Sequence, residues 1–170
     1  MDFEAKIEPM PFRRALVVRT ACKTLQMPKV IGPAFGRVLE YLKAKGVEPK
    51  HPPFVRYYGF TFDEMNSQGF LKMMVGMFTR VWQVEIGFPV EMPIDGTAEL
   101  NFVEYPYQQA ATCIHRGPYQ KMGNSYKKLS QWVKLNGRAP EDTSFEVYLN
   151  DPHNTAAKNL ETVILMPLKK

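Results

Sequence analysis

The chain has 170 residues, 45% of them hydrophobic and 23% charged, and carries a formal net charge of +5. This length and composition predict a single globular domain with its own hydrophobic core and exclude a long disordered segment. The basic residues are scattered and accompany no recognition-helix or zinc-finger pattern, so nucleic acid is only a minor alternative as a partner.

The N-terminal ten residues contain acidic side chains and lack the apolar stretch of a signal peptide. No run along the chain approaches the roughly 18 apolar residues that a membrane-spanning helix needs. We therefore expect a cytoplasmic protein that does not enter a membrane.

The first half of the chain predicts a β-α-β-β unit. Residues 14–24 are rich in Val, Thr and other apolar residues, which favours a strand. Residues 33–45 show helical periodicity, and Gly46 ends the predicted helix. Two further strands are predicted at residues 53–60 and 80–90, where β-branched and aromatic residues recur.

Two segments are not part of the strands and helix of this unit. The Met-rich residues 63–77 are interpreted either as adaptable packing or as a loop that closes over a ligand, since thioether side chains refit to different shapes. Residues 98–104 predict an additional strand between the two halves.

The second half predicts the same order of elements. A strand at 108–115 is followed by a helix at 121–136 and by strands at 143–149 and 160–166. Placing Gly46 on Gly137 sets an offset of 137 − 46 = 91, at which the halves match without a gap from the first strand through the helix to the next strand. At this offset Val38 falls on Leu129, Phe35 on Tyr126, Tyr57 on Tyr148 and Cys22 on Cys113.

We therefore predict an α+β fold in one domain, residues 1–170, with β-α-β-β repeats at about 13–92 and 97–168. The repeats are expected to be related by pseudo-twofold symmetry, with an antiparallel sheet, helices on one face and a ligand cleft between the repeats. Apolar and aromatic residues at i, i+3, i+6 and i+7 in both helices, Phe35 and Tyr126 among them, indicate buried core stripes.

Strand alternation in residues 143–149 predicts which side chains line the groove. Phe145, Val147 and Leu149 share one face and are expected to pack on the helices, whereas Ser144, Glu146 and Tyr148 share the other. In the first half the equivalents of Glu146 and Tyr148 are Val55 and Tyr57. Both halves therefore offer a tyrosine, but only one offers a carboxylate.

A carboxylate among aromatic rings needs a cation or several hydrogen-bond donors, because burial disfavours its ionised form. A cationic ligand would meet that need, and aromatic faces would add cation–π attraction. The alternative is that Glu146 pairs with a neighbouring Lys or Arg at an open sheet surface, and residue spacing leaves both open.

Cysteine and histidine positions give no sign of a metal site. The chain has two Cys, each in an apolar stretch, and three His at the separate positions 51, 115 and 153. We expect buried free thiols in a reducing compartment, no metal and no cofactor.

A string of residues in the second half carries a resemblance that covers most of the chain: His115-Arg116-Gly117-Pro118-Tyr119, then Tyr126, Leu129 and Trp132, Gly137, Phe145 through Pro152, Leu160-Glu161-Thr162 and Pro167. This string resembles the GyrI-like small-molecule-binding domain, which also serves as the effector-binding module of AraC-type and MerR-type multidrug-responsive regulators. The resemblance implies a duplicated β-α-β-β fold with a pseudo-twofold ligand cleft.

The resemblance also implies a role for the acidic residue of this strand, which contacts cationic aromatic drugs in ligand-binding relatives. Glu146 occupies that position, with Tyr148, Tyr57, Tyr119 and Val55 as the other expected ligand-binding residues. The leading hypothesis is a standalone protein that binds planar, hydrophobic or cationic organic compounds, without direct DNA binding.

Two alternative functions accompany this hypothesis. One branch of the family hydrolyses cyclopropane-bearing genotoxic compounds, and under that alternative Glu146 is a general base and the Tyr119 hydroxyl stabilises the leaving group. The other alternative is a protein partner such as DNA gyrase or a regulator.

Overall fold

The computed structural model describes residues 3–62 and 79–170, so the Met-rich segment predicted at 63–77 lies outside the described residues. Within these ranges all the strands join one antiparallel sheet, and two α-helices accompany it. The strands are β1 (Ala5–Pro9), β2 (Arg14–Lys23), β3 (Phe54–Tyr58), β4 (Val81–Pro89), β5 (Asn101–Glu104), β6 (Gln109–Arg116), β7 (Thr143–Tyr148) and β8 (Glu161–Pro167), and the helices are α1 (Met27–Ala44) and α2 (Met122–Leu135).

The strand order is β1-β6-β8-β7-β3-β4-β2-β5. The strands follow the same plan whether the sheet is read from one outer edge or from the other. Each end begins with an added strand, followed by the first, last and middle strands of one half. The two middle strands, β3 and β7, meet at the centre, where Val55 lies directly opposite Glu146. These two positions differ by 146 − 55 = 91, so equivalent residues of the predicted repeats face each other at the midpoint of the sheet.

The two helices cover one face of the sheet and leave its centre between them. Their buried residues recur at helical spacing, Ala34, Val38 and Leu42 in α1 and Leu129 and Val133 in α2. Helix α1 packs mainly on β2 and β4, and α2 packs mainly on β6. The central strands β3 and β7 therefore lie beneath the space between the helices.

Both helices end in the same way. Gly46 and Gly137 follow the last turns with φ of +69° and +67°, a left-handed conformation that glycine adopts without the steric cost of a Cβ. The predicted glycine stops are thus confirmed. None of the helices in the described ranges is long and apolar enough to cross a bilayer.

The face of the sheet that packs on the helices was predicted wrongly. Phe145 and Val147 belong to a second core cluster on the far face, where Phe12 and Tyr105 cover them with ring-centroid distances to Phe145 of 5.8 and 5.1 Å. Glu146, one residue on, therefore points toward the helices. Alternation shows which residues share a face, but loops cover the far face here, and loops leave no periodic signal in a sequence.

The gap-free match between the halves was also wrong, because α1 has 18 residues and α2 has 14. The first strands of the two halves start 109 − 14 = 95 residues apart, and the two helices start 122 − 27 = 95 residues apart. After the helices, Gly46 and Gly137 are 91 residues apart. One extra turn in the first part of α1 accounts for the difference. Cys22, near the end of β2, therefore does not correspond to Cys113 in the middle of β6, although both thiols are buried.

Two of the differences from the predicted elements have identifiable reasons. Helix α1 begins at Met27 rather than at residue 33, with Pro28 in its first turn, where a missing N–H costs nothing, and Pro33 inside it. Strand β1 was not predicted, because its five residues alternate weakly and stand at a sheet edge.

Candidate functional site

The central feature of the helix-covered face is the carboxylate of Glu146, which is 8% exposed. Three phenol hydroxyls donate hydrogen bonds to it. Tyr148 and Tyr57 donate to Oε2 at 2.8 and 3.2 Å, and Tyr126 donates to Oε1 at 3.0 Å. Tyr57 and Tyr148 come from the two central strands and Tyr126 from α2, so this tyrosine cluster joins the two halves and one helix.

Burial raises the pKa of Glu146, and the three phenol hydrogen bonds oppose that rise. Desolvation and the carboxylate charge in turn raise the pKa of Tyr57, Tyr126 and Tyr148, so all three remain protonated donors. The ion pairs found in the described part of the chain do not involve Glu146. Its charge is stabilised there by hydroxyl dipoles and not by a cation.

Aromatic rings extend the cluster on both sides. Trp82 stands edge-on to Tyr57 with centroids 5.9 Å apart, and Phe35 of α1 stands edge-on to Tyr148 at 6.1 Å. Tyr119, in the 3-10 turn before α2, meets Tyr148 at 5.6 Å and is 36% exposed. The carboxylate therefore has an aromatic surround whose most exposed member is Tyr119.

The structure brings together most of the residues predicted for the site. Glu146, Tyr57 and Tyr148 are joined by hydrogen bonds to the carboxylate, and Val55 lies directly across the central ladder from Glu146 with no exposed surface. Tyr119 stands at the rim, where desolvation and then the charge of Glu146 raise the pKa of its phenol. It is not among the three hydroxyls that bond the carboxylate.

Three residues around the Glu146 carboxylate were not predicted as site residues. Tyr126 and Phe35 were assigned to the apolar stripes of the helices, and Trp82 to a strand. The hydroxyl of Tyr126 was the available signal, because a tyrosine on a buried stripe usually finds a polar partner, and its partners are Glu146 and Ser144.

The alternative of a carboxylate paired with neighbouring arginines is realised elsewhere, at Glu85 on the far face. Glu85 is 1% exposed and accepts hydrogen bonds from Arg19 Nε at 2.9 Å, Arg56 Nη1 at 3.0 Å and the Tyr105 hydroxyl at 2.8 Å. Its charge is fully compensated by the protein.

The sequence of the chain matches a known protein family. The profile of the GyrI-like small-molecule-binding domain matches residues 3–169. The chain belongs to this family. No curated protein sequence matches the chain.

Solved structures share the fold of this GyrI-like domain. The C-terminal domain of EcmrR superposes with a TM-score of 0.73 at 23% identity, over 100% of this chain and 99% of that one. In the EcmrR–DNA complex the TM-score is 0.75 at 24% identity, and the match covers 99% of this chain but only 58% of the EcmrR chain.

Two more distant structures also share the fold. A hydrolase from Listeria innocua superposes with a TM-score of 0.64 at 12% identity, over 98% of this chain and 92% of that one. SAV2435 bound to tetraphenylphosphonium gives a TM-score of 0.54 at 10% identity, over 99% of this chain and 94% of that one.

Two surface hollows of the GyrI-like domain, of about 540 and 490 Å³, lie away from Glu146 along the ends of β2 and β4. Each contains an exposed ion pair, Arg14–Glu104 in the first and Lys50–Glu91 in the second. Neither hollow is lined by Glu146 or by the tyrosines bonded to it. Across residues 3–62 and 79–170, no group of three His, Cys, Asp or Glu side chains is placed to hold a metal.

Proposed function

We propose that this GyrI-like domain binds hydrophobic organic cations above β3 and β7, between α1 and α2, with Glu146 as the counter-charge. The observation that carries the proposal is a buried carboxylate held by three phenols and paired with none of the described cationic side chains. Burying an ionised carboxylate is costly unless a positive charge or full hydrogen bonding compensates it. A bound cation supplies the missing charge.

The aromatic surround fits the same ligand class. Rings of Tyr148, Tyr119 and Trp82 offer faces or edges around the carboxylate, and a cation over such a ring gains roughly 0.5–2 kcal/mol. A bulky cation with aromatic arms also removes apolar surface from water, at about 25 cal/mol per Å². A ligand with both a positive charge and apolar surface would therefore interact with the carboxylate and with the aromatic rings around it.

Entry of a ligand requires movement at the rim, because Glu146 is only 8% exposed. Tyr119 sits on a short 3-10 turn that follows Gly117, whose φ of +117° is a conformation suited to glycine. Rotation of the Tyr119 and Tyr148 side chains opens the side of the cluster that already meets solvent. The binding of tetraphenylphosphonium, a hydrophobic organic cation, to SAV2435 adds support from a protein of the same fold.

The test is titration of the purified chain with tetraphenylphosphonium, followed by calorimetry or by tryptophan fluorescence. Glu146→Gln keeps the shape and removes the charge, and we expect it to weaken binding by about 1.5–3 kcal/mol, because a hydrogen-bonded charge contact is lost. Glu161→Gln removes the same charge from a more exposed glutamate paired with Arg116 and should change the affinity little. Equal affinities of wild type and Glu146→Gln would exclude the assigned role.

The hydrolase alternative fits the geometry less well. A general base needs a water molecule beside its oxygens, whereas three of the roughly four acceptor positions of the Glu146 carboxylate are taken by phenols. Tyr119, the expected leaving-group partner, stands at the rim. Cytoplasmic location and a gyrase or regulator partner stay predictions.

A further inference from the structure

The hydroxyl of Thr162 is a buried polar group with no hydrogen-bond partner in the described part of the chain. Thr162 lies in β8, is 1% exposed, and stands directly opposite Tyr148 on one side and His115 on the other. Buried hydroxyls are nearly always satisfied, because an unpaired one costs about 1–3 kcal/mol of desolvation. An orphaned hydroxyl therefore calls for an explanation, and a ligand group that bonds it is one.

The strand register places Thr162 on the same face as the tyrosine cluster. Residues paired across an antiparallel ladder point to the same side, so Thr162 shares the side of Tyr148, whose hydroxyl donates to Glu146. Ile164, two residues further along β8, lies opposite Glu146 and packs in the core cluster beneath the helices. Thr162 is thus diagonal to Glu146, at about 7–8 Å between Cα atoms.

The polar atoms of the residues next to Thr162 are hydrogen-bonded to other groups. Tyr148 donates to Glu146, and the two ring nitrogens of His115 meet Ser125 Oγ at 2.9 Å and the Pro118 carbonyl oxygen at 3.2 Å. The Glu146 oxygens hold three phenol hydrogen bonds, so little room remains there for an N–H or O–H of a ligand. Among the described side chains, the Thr162 hydroxyl is thus the uncommitted polar group beside the charged one.

We infer that Thr162 is a specificity-determining residue that hydrogen-bonds a polar group carried by the cationic ligand about one ring away from its charge. The ligand class is a hydrophobic cation with a hydroxyl, amine or carbonyl group on an aromatic arm. The inference rests on the proposed function, since it takes Glu146 as the site of the positive charge. Under this inference, Thr162 discriminates between cations that Glu146 attracts equally well.

The experiment compares two probes, tetraphenylphosphonium and the same cation with one para-hydroxyl group, on wild type, Thr162→Val and Thr162→Ser. Wild type is expected to prefer the hydroxylated probe by about three- to tenfold, the size of one neutral hydrogen bond. Thr162→Val should abolish this preference and leave the affinity for tetraphenylphosphonium unchanged. Thr162→Ser should retain the preference, because it keeps the hydroxyl.

A second readout separates this role from a structural one. Removing an unpaired hydroxyl relieves its desolvation cost, so ligand-free Thr162→Val should melt at the same temperature as wild type or higher. The matched control is Thr112→Val, because the buried Thr112 hydroxyl donates to Glu8 at 3.1 Å. That variant loses a hydrogen bond and should leave the ligand preference intact.

The outcomes distinguish the two proposals. If tetraphenylphosphonium binds through Glu146 but the added hydroxyl brings no preference, or Thr162→Val weakens both probes equally, the inference about Thr162 is overturned and the proposed function stands. If wild type binds neither probe, the proposed function fails and the role of Thr162 fails with it. A marked fall in melting temperature for Thr162→Val would mean that the hydroxyl is a structural partner, which also overturns the inference.

Discussion

Two glutamates are buried in this sheet, and their surroundings differ in one respect. Glu85 on the far face and Glu146 beneath the helices are 1% and 8% exposed, and each accepts a phenol hydrogen bond of 2.8 Å. Glu85 also holds two arginines, whereas Glu146 holds only further phenols. Under the proposed function, the buried carboxylate that lacks a cationic partner among the described side chains is the one that binds the ligand.

The strand register explains the difference. In the sheet Glu85 lies directly opposite Arg19 on β2 and directly opposite Arg56 on β3, so cations flank it on both neighbouring strands. Glu146 lies opposite Val55 on β3 and Ile164 on β8, which are apolar. Cross-strand neighbours therefore account for the two ion pairs of Glu85 and for the apolar flanks of Glu146.

The largest expected effect is on stability at the compensated glutamate. Glu85→Gln leaves Arg56, whose side chain is 17% exposed, without its buried partner, and should lower the free energy of unfolding by about 3 kcal/mol. The Arg19 contribution is smaller, since that side chain is 53% exposed and solvent screens it. Urea unfolding measures the loss, and Glu146→Gln should show a much smaller one. Equal losses would remove the contrast between the two sites.

The pH dependence should be carried by Glu146. Its raised pKa means that the folded protein holds a proton at pH values where an ordinary glutamate, near 4.5, is ionised. A permanent cation must displace that proton, so its affinity should rise by up to about tenfold per pH unit until the raised pKa is passed.

The stability of the ligand-free protein should run in the opposite direction. A carboxyl with a raised folded-state pKa stabilises most below its ordinary pKa, and this contribution is lost as pH rises through the raised value. Calorimetric titrations with tetraphenylphosphonium at several pH values measure the affinity profile, and Glu146→Gln should flatten it. A rising profile that persists in Glu146→Gln would assign the proton to another group.

The smallest expected effect compares the two phenols at 2.8 Å. The Tyr148 hydrogen bond lowers the pKa of Glu146, so Tyr148→Phe should move the midpoint of the affinity profile to higher pH. Tyr105→Phe removes the corresponding bond to Glu85 and should cost about 1 kcal/mol of stability without moving that midpoint. A midpoint shift in Tyr105→Phe would indicate that the two carboxylates are coupled through the sheet.

Much of the fold could be predicted from local patterns. The α+β class is confirmed, and the alternation of residues 143–149 correctly placed Ser144, Glu146 and Tyr148 on one face. Which face the helices cover could not be predicted, because Phe145 and Val147 are buried by loop residues such as Phe12 and Tyr105. Alternation is symmetric with respect to the two faces, and only tertiary packing breaks that symmetry.

The site was predicted in part for a similar reason. Glu146 and Tyr148 are two residues apart on one strand, so strand alternation predicted that they share a face. Tyr57 was predicted because it is the equivalent of Tyr148 in the other repeat. Tyr126 reaches Glu146 from a helix, and its position depends on how α2 lies across the sheet. Likewise, Arg19 and Arg56 meet Glu85 only through strand register, which residue spacing does not specify.

Each of the two outer strands pairs with the opposite half of the domain. Strand β1 precedes the first half but pairs with β6 of the second, and β5 precedes the second half but pairs with β2 of the first. Each half thus completes the other's sheet edge, and the continuous β3–β7 ladder joins them at the centre. We expect this exchange of edge strands to oppose a hinge-like opening between the halves. Under the proposed function, a large ligand would then be accommodated by movements of the helices and aromatic side chains above the sheet.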